Sequence, residues 1–156
     1  MFALIDCDHF FASCERVFRP DLWHRPVAVL SNNDGCVIAR SPEVKALGVP
    51  MGAPFFEYEA LFKAYKVNVF SANFSLYADL STRIMNTIRA SVISHNQRRT
   101  EVYSIDEAFM DLSNFSDDKV EEVGREIRET VLQWTGIPTS IGIAKTKTLS
   151  KVANHI

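Results

Sequence analysis

Two acids, Asp106 and Glu107, stand side by side in the apolar run VYSIDEAFMDL at residues 102–112. Burying either charge without a partner is costly, so this pair restricts the fold more than any other feature of the chain. In a continuous strand, neighbours point to opposite faces, and one of the two would be driven into the core. The pattern is consistent if EVYS (101–104) and AFMDL (108–112) are two strands of a hairpin with the acids at their connection. There the alternation breaks, and both carboxylates can project from one end of a sheet.

The rest of the chain supplies partners for that hairpin. FALID (2–6) reads as a short apolar strand that ends on an acid, and Asp8 is placed to cap a helix over HFFASCERVF. PVAVL (26–30) and CVIA (36–39) are β-rich runs around SNNDG, where Asp34-Gly35 signals a hairpin. Ser41-Pro42-Glu43 opens a short helix that Gly48 closes. Residues 55–65 predict a helix and KVNVF (66–70) a strand. Over 74–94, Tyr77, Leu80, Ile84, Ile88 and Val92 recur at spacings of three and four, so one face of a helix is buried. A helix starting at Ser116 or Asp117 turns Val120, Val123, Ile127, Val131 and Trp134 inward. TSIGIA (139–144) is a strand, and TKTLSKVANHI starts a last helix. With 19–72 set aside, the order is strand, helix, helix, strand, strand, helix, strand. That order predicts an α+β fold of the ferredoxin-like split βαβ type, an antiparallel sheet with helices on one face. The excised piece is expected to be a small inserted subdomain.

Composition excludes several classes. With 47% hydrophobic and 23% charged residues in 156, the chain has a globular core. A net charge of −2 argues against a chain that grips nucleic acid unaided. It is compatible with an enzyme that handles phosphates through metal ions. No apolar run is long enough for a membrane span. MFALIDCDHFF lacks a basic leader, so a cytoplasmic location is expected. Cys7, Cys14 and Cys36 form no CxxC pair and read as reduced thiols. His9, His24, His95 and His155 have no metal-ligand spacing.

In a split βαβ sheet, FALID lies beside the acid hairpin, so Asp6, Asp106 and Glu107 are expected to converge at one sheet edge. Such a cluster repels itself unless cations neutralise it. An all-oxygen ligand set suits Mg²⁺ or Mn²⁺, and two ions suit in-line phosphoryl or nucleotidyl transfer. A helix beginning near His9 leaves the amides of Phe10 and Phe11 free for a phosphate. Taken singly, each acidic dipeptide reads as a solvated turn or a helix cap.

IDCDHFFASCE, VIARSPEVKALGVPMG, YSIDEAFMDLS and GIAKTKTLSKVAN resemble the Y-family translesion DNA polymerases. The resemblance covers essentially the whole chain. It implies a palm in 1–18 and 73–156 with fingers in 19–72. The thumb and little finger that complete the family are missing, so an N-terminal fragment, inactive by itself, is expected. Asp6, Asp106 and Glu107 match the carboxylates that hold two Mg²⁺ ions with the dNTP, Mn²⁺ being a possible substitute, and Cys7 matches a residue whose carbonyl also touches metal. Phe11 matches the steric gate against ribose, where the family usually carries Tyr. Lys45 matches a residue that holds the triphosphate. Relatives have Tyr-x-x-Arg there, and this chain has Pro42-x-x-Lys45. Cys36 and Ile38 match the roof over the nascent base pair. The implied activity is error-prone synthesis opposite damaged template in DNA repair and the SOS response. The implied partners are primer–template DNA, dNTP, a UmuD′-type subunit, RecA and a sliding clamp. Two other readings compete. Residues 19–72 and Phe11 count against a palm-fold nucleotidyl cyclase. The three acids count against an adaptor, while the missing thumb favours a catalytically silent truncated copy.

Overall fold

The computed structural model describes residues 1–91 and 99–156. Val92 and His95 lie outside them. The chain divides into two compact units, one of Met1–Asp8 with Ala78–Ile156 and one of His9–Tyr77.

The first unit is built on strand β1 (Phe2–Cys7). With β5 (Thr100–Val102), β6 (Glu107–Asp111) and β7 (Thr139–Ala144) it forms a four-stranded sheet in the order β5-β6-β1-β7. Every pairing is antiparallel, as the split βαβ pattern predicts. Ala3, Leu4 and Ile5 are buried because β1 is central and covered on both faces.

Three helices accompany the sheet: α4 (Phe74–Ser91), within which the division between the units falls, α5 (Val120–Thr135) and α6 (Lys147–His155). Tyr77, Leu80, Ile84 and Ile88 are all buried, as the spacing in α4 requires. The glycines fix which face each of the others takes. A Cβ on Gly124 of α5 would lie 3.1 Å from Ile143 Cδ1 and 3.8 Å from Ile141 Cγ2. A Cβ on Gly142 would lie 2.3 Å from the Ser150 carbonyl oxygen and 2.5 Å from the Asn154 nitrogen. Alternate strand residues point to opposite faces. So α5 covers the face of Ile141 and Ile143, and α6 lies on the other, where the sequence pattern alone put all helices on one. The inward stripe of α5 runs Val120, Gly124, Ile127, Val131, Thr135. Trp134, expected inward, is 63% exposed, because the stripe steps by four after Val131. The helix starts at Val120 with Lys119 as its cap residue. Ser116, expected to start it, instead accepts the Lys119 N–H in the preceding turn.

The second unit holds a three-stranded sheet, β3-β2-β4, from β2 (Val27–Leu30), β3 (Val37–Arg40) and β4 (Asn68–Ser71). Helices α1 (Phe10–Val17), α2 (Pro42–Ala46) and α3 (Phe55–Ala64) accompany it. Ala28, Leu30, Val37, Val44, Val49, Ala53 and Phe62 form its main core. Helix α1 packs on β2 and β3 and so falls in this unit, whereas the sequence reading began the insertion at residue 19. The β2–β3 hairpin forms, but through a loop from Ser31 to Cys36 with Asp34 left-handed at φ 55°. A register shift at Val29/Leu30 accommodates that loop. Gly48 closes α2 at φ 82°. Ser41 precedes α2, but its hydroxyl accepts the buried Val27 N–H at 3.0 Å and makes no cap bond. Asp8 is not the cap of α1 either. His9 takes that position in a left-handed conformation, φ 48°. No helix of the described residues is long and apolar enough to cross a membrane.

Candidate active site

Strand register sets the site. Asp6 pairs with Glu107 on one side and with Ser140 on the other. Laterally paired residues share a face, so Asp6, Glu107 and Ser140 form one polar row across β6, β1 and β7. Like charges directly opposite each other in a sheet are destabilising, so this row is not there for stability. Next in the same direction come Leu4, Phe109 and Gly142, which share the face that α6 covers.

Asp106 precedes β6 in the turn. The Ser104 hydroxyl donates to Asp106 Oδ1 at 2.8 Å and is 3.1 Å from Glu107 Oε2, so one hydroxyl touches both carboxylates. Asp106 lies in the connection, as the hairpin reading placed it, but Glu107 is already the first residue of β6, so the two acids are joined through the Ser104 hydroxyl and not by a shared place in the turn. The turn is held by its backbone. The N–H groups of Tyr103 and Ser104 donate to the Glu107 carbonyl at 3.0 and 3.1 Å, and the Cys7 N–H donates to the Asp106 carbonyl at 2.9 Å. Ser81 of α4 donates to the Ile105 carbonyl.

Burial, with the charges of Asp106, Glu107 and Asp8 close by, pushes the Asp6 carboxyl up to about 6 from its ordinary 3.8. His155 pulls weakly the other way. Asp6 Oδ2 accepts from Asn154 Nδ2 at 3.2 Å. Asp8 Oδ1 accepts from the Ser140 hydroxyl at 2.6 Å, which is what Asp8 does in place of capping. Among the described residues no three His, Cys, Asp or Glu side chains already surround one point as a metal shell. The donor set nevertheless fits a hard divalent cation. It is all oxygen, half-buried and repelling itself, and a cation is what would relieve the charge that raises Asp6.

Aromatic and basic groups flank the acids. Tyr103 and Phe109 meet edge to face at 5.3 Å. Lys151 Nζ lies 4.3 Å from the Tyr103 ring centroid, and Lys147 Nζ, paired with Glu101, lies 5.4 Å from that of Phe109. Both lysines thus anchor α6 to the acid hairpin. The side chain of Cys7 is buried.

The other expected residues belong to the second unit. Phe10 is buried, and Phe11 is half-buried. Phe11 stacks on Tyr77 at 4.5 Å and 17°. The Tyr77 hydroxyl donates to Glu15, one turn further along α1, at 2.7 Å. The first intrahelical bond of α1 runs from Ser13 N–H to the His9 carbonyl. The amides of Phe10 and Phe11 precede that bond, where a helix leaves its donors open. Lys45 is exposed, near the end of α2. Cys36 and Ile38 alternate with buried Val37 and Ala39 and are half-buried on the side away from the core. Ser104, Ser140 and Asn154 were not foreseen from the sequence. The signal that could have found Asn154 is Gly142, because a glycine inside a strand marks close approach of another backbone.

Residues 5–155 match the impB/mucB/samB family, IMS. The chain is 53% identical to the protein UmuC of Salmonella typhimurium (strain LT2) over 156 residues, covering 99% of this chain and 36% of that one. It is 33% identical to DNA polymerase IV of Picrophilus torridus, covering 98% of this chain and 44% of that one. Among solved structures, DinB from Sulfolobus solfataricus superposes with a TM-score of 0.86 at 27% identity, covering 99% of this chain and 45% of that one. The chain thus spans about a third to just under half the length of these relatives.

Proposed function

Because the chain belongs to the impB/mucB/samB family, we propose that it is the metal- and nucleotide-binding part of an error-prone translesion DNA polymerase. The observation that carries this reading is the polar row of Asp6 and Glu107, joined to Asp106 through the Ser104 hydroxyl. Asp6, Asp106 and Glu107 would hold Mg²⁺, or Mn²⁺ in its place, with the Cys7 carbonyl as a further ligand. Two such ions, arriving with the dNTP, would supply charge neutralisation and Lewis acidity for in-line nucleotidyl transfer.

The remaining roles fall to the second unit. The amides of Phe10 and Phe11 and the ammonium of Lys45 take the triphosphate. Lys45 does so as a single charge, without the planar fork of an arginine. Phe11 excludes the ribose 2′-hydroxyl by bulk, and Tyr77 behind it supports this by limiting its retreat. Cys36 and Ile38 cover the nascent pair. We assign the palm to residues 1–18 and 73–156, which carry the acids, and the fingers to residues 19–72. Primer–template DNA is the substrate. A UmuD′-type subunit, RecA and a sliding clamp are the proposed partners, and the cytoplasm the proposed location. A net charge of −2 gives residues 1–156 little electrostatic hold on a duplex, so this stretch alone is expected to extend primers negligibly.

The test is primer extension by a protein carrying this chain within the full length of its relatives. Asp106→Ala should reduce extension by at least ~10²-fold. Phe11→Ala should retain DNA synthesis and raise ribonucleotide use by about tenfold or more, the scale on which a steric contact discriminates. Extension that survives Asp106→Ala would overturn the polymerase assignment. Unchanged sugar choice in Phe11→Ala would overturn the gate.

A further inference from the structure

Helix α6 does more than cover the sheet. Its seat on β7 depends on Gly142, where any Cβ would collide with the backbone of Ser150 and Asn154. Gly142 stands two residues along β7 from Ser140, the lateral partner of Asp6, and on the same face. That close seat brings the side chain of Asn154 to Asp6 Oδ2. The amide is oriented with Nδ2 toward the carboxylate, and reversing it would set an oxygen against an anion. The orientation leaves Asn154 Oδ1 buried without a hydrogen-bond partner among the described residues. A side chain kept for packing alone has no reason to bury an oxygen that way, since an apolar residue of the same size would avoid the loss.

The geometry points to Asn154 as a positioning residue for Asp6. Its amide holds one carboxylate oxygen, so that the carboxyl plane is set and the other oxygen is presented for a divalent cation. Helix α6 and Gly142 serve to place that amide. This inference rests on the reading of Asp6 as a cation ligand. Of the three acids, Asp6 needs such a holder most. Asp106 and Glu107 share the Ser104 hydroxyl, while Asp6 faces three neighbouring carboxylates that all repel it. Hydrogen bonds that orient ligating groups commonly matter to metal affinity as much as a weak ligand does.

The experiment titrates Mn²⁺ alone into the ¹⁵N-labelled chain and follows paramagnetic loss of the Cys7 and Glu107 amide signals. It compares the parent, Asn154→Leu, Asp6→Asn and the double variant. Urea midpoints are measured on the same samples. Leucine keeps the branching and the number of side-chain heavy atoms of Asn154, removes the donor and removes the unpartnered oxygen. The expected result is a roughly tenfold weaker Mn²⁺ affinity for Asn154→Leu, with a urea midpoint equal to the parent's or higher. In the Asp6→Asn background the second substitution should cost nothing further. Full Mn²⁺ affinity in Asn154→Leu, with loss in Asp6→Asn, would overturn the positioning role and leave the cation site standing. A midpoint that falls together with affinity would make Asn154 a packing residue and overturn the role as well. Unchanged binding in Asp6→Asn would remove the cation site itself, and this inference with it.

Discussion

Replacing Asp6 by Asn should make the protein more stable at neutral pH and no more stable in acid. The folded carboxyl holds its proton at about 6 and the ordinary value is 3.8. A raised folded value means that Asp6 contributes fully to stability below about pH 3.8, and that this contribution is lost as pH rises through about 6. The gap between 3.8 and about 6 corresponds to roughly 3 kcal/mol at ~1.4 kcal/mol per pH unit. Asp6 is only half-buried, so solvent screening brings the figure to about 1.5 kcal/mol. Asn mimics the protonated form and can still accept from Asn154, so little else changes. Urea denaturation of parent and Asp6→Asn at pH 7.5 should therefore differ by about 1.5 kcal/mol in favour of Asn, and by close to nothing at pH 3.5. Added Mg²⁺ at pH 7.5 should narrow the gap by stabilising the parent. A variant less stable than the parent at pH 7.5, or a gain that does not depend on pH, would refute the claim that burial and charge repulsion strain Asp6.

Three other substitutions test the fold beneath the site. Gly142→Ala places a Cβ 2.3 Å from the Ser150 carbonyl oxygen. Helix α6 must then move off the sheet, at about 1–3 kcal/mol, and hydrogen exchange should accelerate in residues 148–155 before it does in β1. Val131→Ala on the buried stripe of α5 should cost about 2–3 kcal/mol, while Trp134→Ser, at 63% exposure, should stay within about 0.5. Equal losses in the two urea midpoints would return Trp134 to the inward face.

The strands and the acid hairpin were legible because alternation and turn chemistry are local. TSIGIA reads as a strand and becomes β7 over the same residues. Asp6 and Glu107 are lateral partners because a ferredoxin-like order leaves FALID nowhere else to pair. What could not be read depends on register and on which face an element takes. Asp8 followed by an apolar helix satisfies every local rule for a cap, yet Ser140, a residue 132 positions away in sequence, takes its carboxylate. Ser41 likewise gives up its cap for a buried Val27 amide that the sequence does not reveal as needy. Trp134 was misplaced by a helical stripe that two spacings, three and four, fit equally well on paper. Asn154 needed the side of the sheet taken by α6, which only the three-dimensional approach at Gly142 decides.

The central position of β1 also sets a timetable. Its partners Glu107 and Ser140 follow Asp6 by 101 and 134 residues, so the first strand leaves the ribosome long before either neighbour exists. At about 5–20 residues per second that wait lasts roughly 7–27 s for β7. Meanwhile the compact unit His9–Tyr77 is already complete. Both edges of an apolar segment, FALID, stay open throughout, the condition in which strands pair with the wrong chain. The segment is short, and the acids at its end, Asp6 and Asp8, keep two such strands from lying together in register. The carboxylates that strain the finished sheet therefore protect the nascent one.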